Sequence, residues 1–210
     1  MRVVVGSEES RDSKQIELER HLEAMARFTE GLRGNSALPH HCTMILRSPA
    51  SAPAQALIAM QDALLSARVR ARVILAKLEP EDDLRQLFAS LSALSPNEGE
   101  AALIRWARNS RLLDAHEQVT YGTAMCWSGD AMRRDADKRN PLVLLDLDAP
   151  DAARRGQLAF KAMWRASADV PVRLLYARRA AKPSGAYERA SDAPVTALRP
   201  HLQGWPLVRH

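Results

Sequence analysis

The sequence predicts a single α/β domain, a mixed sheet flanked by helices. Short runs rich in Val, Ile and Leu, at residues 41–46, 69–78 and 142–147, are separated by stretches with helical apolar spacing. Strand, helix, strand implies a parallel pair joined by a right-handed crossover. A length of 210 residues and an apolar fraction of 46% suit one buried core with a tail. Aromatic residues are only 5%, so that core is expected to be aliphatic.

Residues 1–11 carry little pattern, although 2–5 suit a short edge strand. From Asp12 the apolar positions Ile16, Leu18, Leu22, Met25, Ala26, Phe28 and Leu32 recur at roughly helical spacing, and Gly31 or Gly34 can end that helix. Residues 35–39 form a loop. HCTMIL at 41–46 reads as a strand buried on both faces. A turn rich in Ser and Pro leads to a helix at 54–67, with Leu57, Ile58, Met60, Leu64 and Leu65 as its apolar positions. VRARVILAKL at 69–78 alternates and then runs apolar, as a sheet strand does. Residues 81–94 form a helix facing inward through Leu84, Leu87, Phe88, Leu91 and Leu94. Residues 101–107 lead into 109–128, which reads as a β-hairpin. A polar loop at 130–140 and a strand at 142–147 follow. Residues 150–166 form a helix, and VPVRLLYA at 170–177 reads as a final strand. Residues 178–210, rich in Pro, Arg and Ala, lack periodicity and read as a basic tail. The domain plan is therefore an extension and helix at 1–37, the α/β domain at 38–177 and the tail at 178–210.

The formal net charge is +5, which permits an anionic partner such as nucleic acid or a phospholipid surface. Cys42 and Cys126 both sit in apolar, strand-like runs and read as buried free thiols. The opening residues lack the apolar region of a signal peptide, and no apolar run approaches the ~18 residues of a membrane span. A cytoplasmic protein without a transmembrane segment is the expectation.

The order of these pieces, with ALLSARVRARVIL at 63–75, resembles one half of a phospholipase D superfamily fold. That family's signature is His, any residue, Lys, four residues, Asp, six residues, Gly, Ser, any residue, Asn, usually followed by an aromatic and Ser or Thr. Laid on NSRLLDAHEQVTYGTAMCWS at 109–128 without a gap, it puts Asn109 on the His and Arg111 on the Lys. His116 then falls on the Asp, Thr123 on the Gly, Ala124 on the Ser and Cys126 on the Asn. Trp127 and Ser128 match the residues that follow. Asn140 matches an Asn often found ahead of the next strand, without the acidic residue expected after it. Phe160 and Trp164 match the family's closing helix. The resemblance spans residues 38–177.

In that family the His attacks a phosphodiester and carries the phosphoryl group. Lys and Asn neutralise phosphate charge, and the Asp orients an imidazole. An amide nitrogen such as that of Asn109 has a delocalised lone pair and cannot attack phosphorus. Losing a nucleophile of this kind costs on the order of 10⁶ in rate. Arg111 keeps a charge that suits bidentate phosphate contact. The resemblance thus implies a domain with no catalytic residue, no cofactor and no metal, acting in binding or scaffolding. Its ligand-binding candidates are Asn109, Arg111, His116, Cys126, Arg133, Arg134, Arg139 and Asn140. The partners it implies are nucleic acid, an anionic phospholipid or a protein, and a homodimer, because active members join two half-sites. The alternative is an active phosphodiesterase with a rearranged site.

Three further constellations have bland counterparts. Cys126 with His116 has the types of a nucleophile and base, against a packed thiol and an edge histidine. His40 with His41 offers imidazoles for a metal, against a solvated loop. Asp146 with Asp148 offers carboxylates for a cation, against turn chemistry.

Overall fold

Alternation along the two central strands sends neighbouring side chains to opposite faces. In β1 (His40–Leu46), Cys42, Met44 and Leu46 enter one core and Ile45 another; in β2 (Val69–Leu75), Ala71, Val73 and Leu75 enter the first and Ile74 the second. Strands buried on both faces need helices above and below, which is the parallel arrangement. The two pair in parallel from His40↔Val69 to Leu46↔Leu75. The computed structural model describes residues 8–32, 40–133 and 144–176, and these belong to the unit Met1–Ala177, distinct from Arg178–His210.

The other strands are β3 (Ile104–Trp106), β4 (His116–Tyr121), β5 (Met125–Ala131), β6 (Leu144–Asp146) and β7 (Ala168–Asp169). They complete a seven-stranded mixed sheet in the order β6-β5-β4-β1-β2-β3-β7. β3 runs parallel to β2, while β4 runs antiparallel to β1 and β5 antiparallel to β4. The larger core takes side chains from α1 (Glu8–Gly31), α2 (Ala52–Ala59), α3 (Gln61–Ser66), α4 (Glu81–Leu94), α5 (Glu100–Leu103) and α7 (Val172–Leu175). The opposite face is covered by α6 (Pro150–Ala166), whose Phe160 and Met163 pack with Ile45, Ile74, Ala76, Ala107 and Met132. The mixed sheet between helices matches the expected class.

Several elements differ from the sequence expectation. The helix at 54–67 is two helices, because Met60 leaves helical geometry at φ −98° and ψ 12°. The strand at 69–78 stops at Leu75. The final strand expected at 170–177 does not form: the two-residue β7 ends before it, at Asp169, and α7 takes its place; Pro171 has no N–H to give a ladder, and its carbonyl accepts from Leu174 N–H to close a helical turn. On α1 the inward face carries His21, Ala24, Met25, Phe28 and Thr29, whereas Ile16 is exposed. Residues 109–115 are not a strand of the hairpin. They form a loop and a 3-10 helix, Ser110–Asp114. The edge strand at 2–5, the loop at 35–39 and the tail lie outside the described residues.

Candidate functional site

β3 ends at Trp106 and β4 begins at His116, yet β2 and β1 lie between them in the sheet. The connecting residues 107–115 therefore cross the carboxyl ends of two parallel strands. In open α/β sheets that edge is where ligands are held. Asn109 starts the crossing: its side-chain oxygen accepts from the backbone N–H of Arg111 at 3.0 Å and caps the 3-10 helix. Leu112, Leu113 and Ala115 seat the segment on the smaller core. Backbone N–H groups of Met132 and Arg133 donate to the carbonyls of Ala115 and Leu113 at 2.9 and 3.0 Å.

Three exposed cations stand at this edge. Lys77 follows β2, Arg108 follows β3, and Arg111 lies on the 3-10 helix. Among the described residues none of the three meets a carboxylate. Arg108 lies 5.7 Å from the centre of the Trp106 ring. Arg133 is neutralised by Asp114 at 2.8 Å, with both side chains well exposed. Arg70 and Arg72, from the other basic run, are occupied by Glu98 at 3.4 and 3.2 Å.

His116 opens β4 at the same edge and is exposed. Its Nδ1 lies 2.9 Å from the carbonyl oxygen of Gly129. A carbonyl can only accept, so Nδ1 carries the proton and, in the neutral ring, Nε2 presents its lone pair. Behind it Glu117 is 2% exposed. Its carboxylate accepts from the backbone N–H of Arg47 at 2.9 Å and from the Ser51 hydroxyl at 3.1 Å. The buried Arg47 guanidinium donates to the carbonyls of Met132 and Ala131 at 3.2 and 3.1 Å. This strut ties the end of β1 to the end of β5 beside the bulge between His116 and Gln118.

Gln118 points to the α6 face. Its Nε2 lies 3.4 Å from Cys126 Sγ. Helix α6 presses on it at Gly156, where an added Cβ would stand 1.9 Å from that nitrogen and 2.8 Å from Thr120 Oγ1. The hairpin turns at Gly122–Ala124, with Gly122 at φ +60° and the Phe28 ring 3.1 Å from where its Cβ would be. Because β4 starts only at His116 and its turn lies at 122–124, Cys126 faces Thr120 rather than Asn109 or Arg111. The two latter residues precede the hairpin at its opposite end. The constellation of Asn109 and Arg111 with Cys126 is thus not brought together. Asn109, Arg111, His116 and Arg133 share the carboxyl edge, while Cys126 is a buried free thiol near the hairpin turn. Four residues of extended strand, about 13 Å, separate His116 from the partner of Cys126, so the two form no nucleophile–base pair. Arg134, Arg139 and Asn140 lie outside the described residues.

Among the described residues no group of three His, Cys, Asp or Glu side chains is placed to hold a metal ion. Asp146 and Asp148 are exposed at and beyond the end of β6. No helix among the described residues is long and apolar enough to cross a membrane.

Sequence reasoning missed the Arg47–Glu117–Ser51 strut and the cations Lys77 and Arg108. The strut had one signal: Glu117 shares its strand face with Val119 and Tyr121, so period-2 alternation demands a buried partner for it. Lys77 and Arg108 had none beyond their position just after a strand. No family model, curated protein or solved structure matches the chain.

Proposed function

We propose that this chain is a phospholipase D-like domain that has lost catalysis and holds a phosphate-bearing ligand at the carboxyl edge of its parallel strands. The observation that carries this reading is that Lys77, Arg108 and Arg111, three exposed cations without acidic partners among the described residues, lie at the same sheet edge as an imidazole fixed by Gly129. Phosphate oxygens are the natural complement of such a group.

The hairpin geometry also supports a different register for the family resemblance. With the turn at 122–124, the strand offering a His-any-Lys pattern is His116-Glu117-Gln118. The returning strand offers Gly129-Asp130-Ala131-Met132 for Gly-Ser-any-Asn, one residue closer than the signature spacing. In that register the histidine survives. The Lys becomes Gln118, a neutral amide held against Cys126, and the Asn becomes Met132, which is buried. Neither can neutralise a phosphoryl group in transfer. The available Nε2 of His116 favours a second reading, an active phosphodiesterase. The loss of both neutralising side chains weighs against it.

The test is binding of fluorescent single-stranded DNA, of RNA and of anionic liposomes at two salt concentrations. Salt-sensitive binding to one of them is the expected result and names the source of the phosphate. Binding to none would remove the proposal.

A further inference from the structure

Helix α6 carries an outward face of one charge sign. From Ala152 to Ala168 the chain holds four cations and no acidic residue. Arg154, Leu158, Lys161 and Arg165 follow one another at intervals of four, three and four, so they share one stripe of the helix. All four are exposed, as is Arg155 beside them. The stripe runs for about 16 Å. Among the described residues none of its cations meets a carboxylate.

Helix stability alone does not account for this face. Lys161 and Arg165 stand four residues apart, where like charges repel, and an alternation of sign would stabilise the exposed side. The opposite side already has its role: Ala153, Gly156, Phe160 and Met163 are buried, and α6 packs there on β1, β4 and β5. Phe160 and Met163 pack with Ala76 and Ala107, the residues just before Lys77 and Arg108. The carboxyl half of α6 therefore reaches the cationic edge, and its stripe adds a second basic surface there.

We propose that the outward face of α6 binds the phosphate backbone of a double-stranded nucleic acid, without reading its bases. A duplex presents one phosphate charge about every 1.7 Å along its axis. Three cations spread over about 16 Å of helix meet several of them, and phosphate oxygens accept from Arg and Lys. Two other anionic surfaces fit less well. A helix lying on a membrane offers Trp, Phe or Leu to the acyl boundary. Here Phe160 and Met163 are turned to the core, and Leu158, 58% exposed, is the one large aliphatic side chain facing outward. A single strand is held by stacking on aromatic rings, and the stripe has none. Trp164 is half-buried beside Phe160, with the Arg105 guanidinium 5.3 Å from its ring centre. The surface rests on α6 alone and stands whether or not the edge holds phosphate.

The experiment measures binding of the full chain to labelled duplex DNA, to a single strand of the same length and to anionic liposomes over a range of salt. It compares the wild type with Arg154→Gln/Lys161→Gln/Arg165→Gln and with Lys77→Gln/Arg108→Gln/Arg111→Gln. Glutamine matches Lys and Arg in helix propensity, and an unchanged thermal midpoint verifies the fold. The wild type is expected to bind duplex more tightly than single strand. The α6 variant is expected to lose about tenfold or more in duplex affinity, and its slope of log affinity against log salt to fall by about 2 to 3. Lys161→Gln alone lowers that slope by about 0.9, and Arg154→Lys/Arg165→Lys, which keeps the charge, binds as the wild type does. An α6 variant that binds duplex like the wild type overturns the proposal. So does a wild type that binds liposomes only, or that prefers the single strand. Loss confined to the edge variant removes this proposal and leaves the edge reading standing; loss confined to the α6 variant does the reverse.

Discussion

Glu117 accepts from the backbone N–H of Arg47 at 2.9 Å, and the Arg47 side chain passes on to the carbonyls of Ala131 and Met132. Two residues 70 positions apart in sequence thereby fix the end of β1, the start of β4 and the end of β5. The carboxylate and guanidinium approach only to 3.7 Å, so the hydrogen bonds to backbone carry much of the link. Removing one partner leaves a buried charge without its complement, which costs about 3 kcal/mol or more. Glu117→Ala is expected to lose about that much in urea unfolding. Glu117→Gln, which keeps an acceptor for Arg47 N–H and Ser51, is expected to lose less. Equal losses in both would show that the charge, not the acceptor geometry, is what matters.

Gly156 lets α6 lie close to β4. Exchanging a helical Gly for Ala ordinarily gains about 1 kcal/mol. Here the new methyl would overlap Gln118 Nε2 and crowd Thr120 Oγ1, and overpacking costs about 1–3 kcal/mol. Gly156→Ala is expected to destabilise the wild type. In a Gln118→Ala background the penalty should shrink, because the nearer contact is gone. Thermal or urea midpoints of the four proteins in this cycle check the coupling.

His21 supplies a pH dependence. Burial lowers its pKa from 6.5 to about 4, so the folded state holds the ring neutral while the unfolded chain takes up a proton below 6.5. Stability from this group is fully present above pH 6.5 and falls as pH drops toward 4, by roughly 3 kcal/mol across the window. Urea midpoints at pH 7, 5.5 and 4.5 should fall more steeply for the wild type than for His21→Gln. Parallel curves would contradict the assignment.

His116 decides between binding and turnover. A generic phosphodiester assay with bis(p-nitrophenyl) phosphate is expected to show no hydrolysis that His116→Ala removes. Hydrolysis by the wild type that His116→Ala abolishes would establish the phosphodiesterase reading instead.

Much of the sheet was legible because its signals are local. The double burial at the ends of β1 and β2 shows in their short apolar runs, 44–46 and 73–75, and α4 matches its apolar spacing from Glu81 to Leu94. The errors arose where a local signal was outvoted. Residues 170–177 look β-branched and apolar, but Pro171 denies the ladder a donor and a helical turn forms. The expected apolar stripe on α1 holds at Leu18, Leu22, Met25, Phe28 and Leu32, which meet the larger core, but Ile16 is exposed, and a histidine, His21, takes an inward position because Tyr121 meets it there. Leu112 and Leu113 resemble strand residues, which places the expected hairpin too early in the chain. The Asn109 cap diverts them into a 3-10 turn, and that shift of the turn to Gly122 undid the grouping of Asn109 and Arg111 with Cys126. Sequence spacing alone could not reveal which loop crosses the carboxyl ends, since that depends on β4 returning to the far side of β1.

The most direct test of phosphate binding at this edge is the salt dependence of affinity for the anionic probe that binds best, compared between the wild type and a Lys77→Gln/Arg108→Gln/Arg111→Gln variant. Each lost phosphate contact should reduce the slope of log affinity against log salt by about 0.7 to 0.9 for a nucleic acid. The account predicts weaker binding and a shallower slope in the variant, with the fold unchanged. Equal affinity and equal slope in the two proteins would contradict it.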